Sequence, residues 1–184
     1  MEIFLIKLTN LGHFLHLIIV LLSFLNLILI NEIYKIDKKP ELMDLMKRLT
    51  VIKQKIEKRA RKDDTTITNY LKQQGISAQS TESGLYYTIT EQGTGASCNN
   101  NSDVRVYYKG YYDNNEVFQE SDASGISFNL QNVIKGWTEG IPFFKEGGKG
   151  TLYIPSSLAY GPTGRGDIAP NTVLFFDIEL LEVL

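Results

Sequence analysis

One cysteine and two histidines are all that this chain of 184 residues offers to thiol, disulfide and imidazole chemistry. Cys98 stands alone in the polar run Ala96-Ser97-Cys98-Asn99-Asn100-Asn101, so no intrachain disulfide can form, and an exposed thiol without a metal role is expected. His13 and His16 both fall in the apolar N-terminal segment, which leaves the rest of the chain without a histidine for a catalytic triad or a zinc site. Their i, i+3 spacing would put both on one helix face, yet no third ligand lies near, and they read as polar spots in a membrane segment. No metal and no cofactor is expected. Surplus positive charge is missing too: a net charge of −2 gives no general attraction for a polyanion, so nucleic acid is not an expected partner.

What the chain does have is apolar and aromatic material, 43% and 11% of its residues, enough for one packed domain and an appendage. From residue 14 to 30 almost every side chain is Leu, Ile, Val or Phe, close to the length a helix needs to cross a bilayer. Residues 1–34 are therefore read as an apolar membrane anchor or uncleaved signal, since Ile28-Leu29-Ile30-Asn31-Glu32 lacks the small-residue pattern of a cleavage site. Lys35, Lys38, Lys39, Lys47 and Arg48 follow this span and only Lys7 precedes it, which taken literally keeps the domain in the cytoplasm. Short leaders of this kind resemble those of exported proteins, and the favoured reading is a membrane-anchored domain outside the cytoplasm, in the periplasm or cell envelope.

Residues 35–83 read as a charged helical linker. Leu42, Leu45, Leu49, Ile52 and Ile56 recur at steps of three and four among lysines and arginines, as on an amphipathic helix. That helix is either a solvated spacer or a short coiled-coil seam making a homodimer through residues 42–56. Asp63-Asp64-Thr65-Thr66 supplies capping side chains for a second, short helix in which Ile67, Tyr70 and Leu71 share a face before Gly75. A polar linker over 77–83 then leads to a domain over 84–184.

Strand-like runs dominate that domain, at 85–90, 104–112, 126–130, 150–154 and 173–183. Asp113-Asn114-Asn115-Glu116 is a hairpin turn by its asparagines. One helical segment interrupts the strands, over 132–140, with Val133, Ile134 and Trp137 on a common face and Gly140 as its stop. The fold class is α+β: a curved antiparallel sheet against one short helix, preceded by the apolar helix and the charged amphipathic helix. Between residues 107 and 180 the aromatics would suit a water-poor pocket better than nucleophilic or metal chemistry, because they bring bulk and hydroxyl donors but hardly any bases.

An ordered series of motifs makes this stretch more specific: Val106-Tyr107-Tyr108-Lys109-Gly110, Val117-Phe118, Phe128-Asn129-Leu130, Val133-Ile134-Lys135-Gly136-Trp137-Thr138-Glu139-Gly140, Gly147-Gly148-Lys149, Ile154-Pro155, Leu158-Ala159-Tyr160-Gly161 and Leu174-Phe175-Phe176-Asp177-Ile178-Glu179-Leu180. In this order they resemble the FKBP-type peptidyl-prolyl cis-trans isomerases over about the last hundred residues. The resemblance implies a half-barrel sheet wrapped around the helix, with a proline ring held between them. It implies Trp137 as pocket floor, Tyr108, Phe118, Val133, Ile134 and Phe176 as walls, Ile168 at the rim, and Tyr160 donating its hydroxyl to a substrate carbonyl. The backbone N–H of Ile134 would be a second donor. Gln119 stands where the family usually places an aspartate near the substrate, and Ile126 where an aromatic wall residue is common. Tyr107 alternates with Tyr108, should face away from the pocket, and is left out of the site.

Prolyl isomerisation fits the inventory, because it makes and breaks no covalent bond and needs no nucleophile. Its barrier of roughly 18–20 kcal/mol is amide resonance, lost as the C–N bond twists. A pocket that fits the twisted amide better than either planar form lowers that barrier. The expected partners are proline-containing client polypeptides and, through the leader, a membrane. A fragment from about Thr65 onward is expected to carry the activity. The alternative is a membrane-tethered chaperone or protein-binding module of the same fold with weak or no turnover.

Overall fold

The computed structural model describes residues 20–25 and 40–184, and the chain divides into two compact units, Met1–Lys55 and Ile56–Leu184. Residues 20–25 are helical; the rest of the expected span over 14–30, with His13 and His16, lies outside the described residues. Among the described residues no helix is long and apolar enough to cross a membrane.

Helix α1 runs Pro40–Gln74. Proline suits the first helical position, where its fixed φ is already helical and its missing N–H has no partner to lose. Leu45, Leu49, Ile52 and Ile56 stay at least half exposed along it. The expected break at Asp63-Asp64-Thr65-Thr66 does not occur, and one helix stands where two were expected. The reason lies in where the side chains turn. The Thr65, Thr66 and Thr68 hydroxyls donate back to the carbonyls of Arg61, Lys62 and Asp64, one turn earlier, and the Asp63 carboxylate bonds to a distant loop instead of capping α1. Gly75, at φ 66°, ends the helix: the Ile76 N–H donates to the Leu71 carbonyl at 2.9 Å and the Gly75 N–H to the Lys72 carbonyl at 3.2 Å.

Seven strands follow: β1 (Gln79–Ser80), β2 (Tyr86–Glu91), β3 (Asp103–Tyr111), β4 (Val117–Glu120), β5 (Ile126–Asn129), β6 (Lys149–Ile154) and β7 (Leu174–Val183). All pairings are antiparallel, in the order β1-β2-β6-β7-β3-β4, with β5 also on β3. The β3–β4 turn is the one expected at 113–116: Asn115 takes φ 66°, and the Tyr112 N–H donates to the Glu116 carbonyl at 3.0 Å. β4 and β5 share one edge of β3, with Lys109 opposite Glu120 and Val106 opposite Ile126.

Alternation along β3 sorts its side chains: Val104, Val106, Tyr108 and Gly110 are buried on one face, while Arg105, Tyr107, Lys109 and Tyr111 are only partly covered on the other. Tyr107 thus faces away from Tyr108, and its hydroxyl donates to Glu120. The first face carries the main core of Val104, Val106, Leu130, Ile141, Phe144, Leu152, Ile154 and Leu174. On the second face the end of α1 brings Ile67, Tyr70 and Leu71 against Tyr153, Val173 and Phe175. Burial on both faces gives this sheet two separate sources of hydrophobic stabilisation.

Helix α2 covers only Lys135–Gly140, so the α-helix ends at Gly140 as expected, but Gly140 keeps right-handed helical dihedrals and the chain passes directly into a 3-10 turn over Ile141–Phe143. Gly136 and Gly140 let α2 lie directly on β6, since a Cβ at either would stand 2.5 Å from Ile154 or 2.7 Å from Leu152. Val133 and Ile134 were expected on the helix but precede it; Ile134 is extended at φ −62°, ψ 147° and takes the cap position. Cys98 departs from its expected exposure as well. An isolated antiparallel bridge pairs Ser97 with Lys145 in the loop before β6, and Cys98 is partly buried against the main core, where burial pushes its thiol pKa up.

Candidate active site

A cavity of about 770 Å³ lies between α2, side chains of β3, β4, β5 and β7, and the loop after β6. Trp137 on α2 lines it and is only 5% exposed. Three rings meet it nearly edge-on: Tyr108 with centroids 5.0 Å apart, Phe128 at 5.4 Å and Phe176 at 5.3 Å. Phe118 stands perpendicular to Phe176 at 5.6 Å, and Tyr112 lies 5.0 Å from Phe118. Edge-to-face pairs of this kind hold rings in place while leaving a flat apolar surface. Nε1 of Trp137 is buried without an acceptor among the described residues. Burial also pushes the Tyr108 hydroxyl pKa up, with the Tyr160 hydroxyl adding to the shift.

Tyr160 and Ile168 come from the loop between β6 and β7. A 3-10 turn over Ser156–Leu158 leads to Tyr160, and a second over Gly161–Thr163 follows it. The loop is tied to itself: the Asn171 N–H donates to the Gly161 carbonyl at 2.7 Å, and Arg165 and Ile168 exchange two backbone bonds of 2.9 Å. Gly164 is required there, at φ 68° with a would-be Cβ 2.3 Å from the Ile168 oxygen. The Arg165 guanidinium lies 5.5 Å from the centroid of the Tyr160 ring, a cation–π contact.

Tyr108, Phe118, Gln119, Val133, Ile134, Trp137, Tyr160, Ile168 and Phe176 all line this one cavity. Ile134 caps α2, so its N–H is one of those a helix start leaves without an intrahelical partner. Ile126 does not join them. It opens the four-residue strand β5, which pairs only with β3, and at that end it is 42% exposed. Sequence reasoning gave no role to Tyr112, Phe128, Ala159, Arg165 or Asp167, which line the cavity too. Two of these had a signal. Tyr112 shares the parity of Tyr108 and Gly110, and Phe128 sits two residues from Ile126 on the same face of its strand. Arg165 and Asp167 lie in an irregular loop, where no periodicity points to a face.

The cavity offers aromatic walls, a few donors and mixed charge at Lys135, Arg165 and Asp167, without a paired nucleophile and base. Comparison with known proteins agrees with its chemistry. A family model for FKBP-type peptidyl-prolyl cis-trans isomerase matches residues 95–181, which include the cavity-lining residues of β3 to β7. The probable FKBP-type peptidyl-prolyl cis-trans isomerase FkpA of Neisseria meningitidis serogroup B is 46% identical over 108 residues, covering 57% of this chain and 40% of that protein. The chain thus spans well under half the length of that curated relative. Among solved structures, FkpA from Escherichia coli superimposes with a TM-score of 0.60 at 35% identity, covering 78% of this chain and 70% of the other. A peptidyl-prolyl cis-trans isomerase from Pseudomonas syringae pv. tomato also gives 0.60, at 34% identity, covering 69% of this chain and 94% of its own. With the aromatic cavity and the sheet that carries it in accord with these matches, the chain belongs to the family of FKBP-type peptidyl-prolyl cis-trans isomerases.

Proposed function

We propose that this chain catalyses cis-trans isomerisation of X-Pro bonds in client polypeptides and thereby assists their folding. The observation that carries the reading is the ring-walled cavity lined by Trp137, which suits a pyrrolidine ring and holds no paired nucleophile and base. The proline ring rests on Trp137 between Tyr108, Phe118 and Phe176, with Val133, Ile134 and Ile168 completing the apolar enclosure. The Tyr160 hydroxyl and the Ile134 N–H donate to carbonyls on either side of the twisting bond. An apolar surround removes water that stabilises the charge-separated planar amide, and the fixed donors favour the twisted form. Gln119 lies where a carboxylate would act, which favours a second reading of the same cavity as a grip for apolar segments with little turnover.

In this proposal residues 1–34 tether the protein to a membrane, residues 35–83 space the isomerase from it, and the domain over 84–184 works outside the cytoplasm. The apolar side chains left exposed on α1 at Leu45, Leu49 and Ile52 support a homodimer through residues 42–56. The test is relaxation of a cis X-Pro peptide in the presence of the full chain. A concentration-dependent acceleration is expected; an unchanged uncatalysed rate, with client binding retained, refutes turnover and leaves the binding module.

A further inference from the structure

An ion pair between a buried carboxylate and a partly buried guanidinium lies outside the cavity and is not used by the proline pocket. Asp63 on α1 is 1% exposed, and a carboxylate so buried is costly unless its oxygens are bonded. Oδ1 accepts from Nη2 of Arg59, one turn earlier on the same helix. Oδ2 accepts from the Ser156 N–H at 3.0 Å and the Ser156 hydroxyl at 2.5 Å. The same Nη2 of Arg59 also donates to the backbone carbonyl of Asn171. Ser156 and Asn171 are the two ends of the loop that carries Tyr160, Arg165 and Ile168. Two side chains at i, i+4 on one helix therefore hold both stems of that loop.

From the stems the constraint reaches Tyr160 over short paths. The Ser156 carbonyl accepts from the Ala159 N–H at 3.1 Å, and Asn171 bonds to Gly161 at 2.7 Å, so each neighbour of Tyr160 is tied to a clamped residue. Attaching α1 to the sheet is not what the pair is needed for, because Ile67, Tyr70 and Leu71 already do that through apolar burial. Nor is a buried ion pair an efficient source of stability, since apolar replacements often match it. What charge-assisted, directional bonds supply is position. We propose that Arg59 and Asp63 are positioning residues of the isomerase site, setting the Tyr160 hydroxyl and the Ile168 rim at a fixed distance from Trp137. This rests on the isomerase reading above.

The test uses the full chain with Asp63→Asn, which keeps an acceptor for Ser156 but loses the charge, Arg59→Met, and Arg59→Lys, which keeps the charge but has one short ammonium for two acceptors. Asp63→Ala is avoided because it strips a buried loop of its partner. Three readouts are taken at a temperature where all variants are folded: kcat/KM on an X-Pro peptide, emission of the lone tryptophan, and amide exchange over residues 157–171. Asp63→Asn and Arg59→Met should lower kcat/KM roughly 10- to 100-fold, shift the Trp137 emission and lose amide protection in the loop. Arg59→Lys should recover part of each. Folded variants with wild-type kcat/KM, or with wild-type loop protection, overturn the proposal. If the wild-type chain itself is inert the isomerase reading fails, while loss of loop protection in the variants still supports the clamp.

Discussion

Gly110 on β3 gives the sharpest perturbation of the cavity that leaves every lining residue unsubstituted. It faces the same side as Tyr108, its φ is not in the left-handed region, and alanine there is opposed only by space. The added Cβ would stand 2.6 Å from Cζ of Phe118, 2.9 Å from its Cε2 and 2.9 Å from Cε1 of Phe176. Carbon atoms rest at about 3.5–4.0 Å, so one or both rings must move by about 1 Å. Phe176 is 4% exposed and held edge-on to Trp137 at 5.3 Å, whereas Phe118 is half-buried on an edge strand, so Phe118 yields. Overpacking of this size costs about 1–3 kcal/mol. Displacing a wall of the cavity by about 1 Å should lower kcat/KM by roughly 10- to 100-fold. The assay is peptide isomerisation well below the melting temperature, with urea unfolding alongside. Phe118→Leu in the same chain removes the atoms nearest the new methyl, so stability of the double variant should exceed additivity by about 0.5–3 kcal/mol. Unchanged kcat/KM in Gly110→Ala, or strictly additive stabilities, would refute the reasoning.

Tyr160→Phe should lower kcat/KM by roughly 2- to 10-fold, the worth of one hydrogen bond of about 0.5–1.5 kcal/mol to the substrate carbonyl, with the urea midpoint unmoved. An unaffected rate would remove the hydroxyl from the mechanism. Tyr86 supplies a pH-dependent counterpart on the opposite face. Its hydroxyl donates to Asp64 at 2.6 Å, and mainly through that bond its pKa is pushed up from 10.0 to about 12. A folded-state pKa above the unfolded one means that the folded chain binds the proton more tightly. Stability from this group is therefore complete below about pH 10 and lost as pH rises toward about 12. Tyr86→Phe should flatten part of the alkaline fall in urea stability; parallel curves for variant and wild type would count against the bond.

The parts of this fold that repeat every second residue were legible in the sequence. β3 alternates its side chains between the two faces of the sheet, and that parity separates Tyr108 from Tyr107. The motif series named most of the residues that line the cavity, the majority of them on strands or at the start of α2. Failures came where a side chain's partner is distant in sequence. Asp63, followed by Asp64, Thr65 and Thr66, has the composition of a helix cap, and only Ser156, 93 positions away, explains why the helix runs through it. Ile126 looked like a wall residue from its place before Phe128, but at the start of β5 it is 42% exposed and lies outside the cavity lining. Arg165 reaches the site by stacking over Tyr160, a contact that composition does not encode.

The clamp also changes what counts as the minimal active unit. A fragment beginning at Thr65 keeps every residue that lines the cavity, and on the sequence alone it looks sufficient. It omits both Arg59 and Asp63, leaving Ser156 and Asn171 without their partners on α1. It also begins only two residues before Ile67, so the α1 turn that buries Ile67, Tyr70 and Leu71 loses its N-terminal support. A fragment beginning at Ile56, where the second compact unit starts, retains all of these. The Ile56 fragment should match the full chain in kcat/KM. The Thr65 fragment should fall roughly 10-fold or more below it, and show increased amide exchange between residues 157 and 171. Equal activity of the two fragments would mean that the loop holds its own shape through the Asn171–Gly161 and Arg165–Ile168 bonds alone. In that case α1 contributes stability on one face of the sheet and nothing to the chemistry on the other.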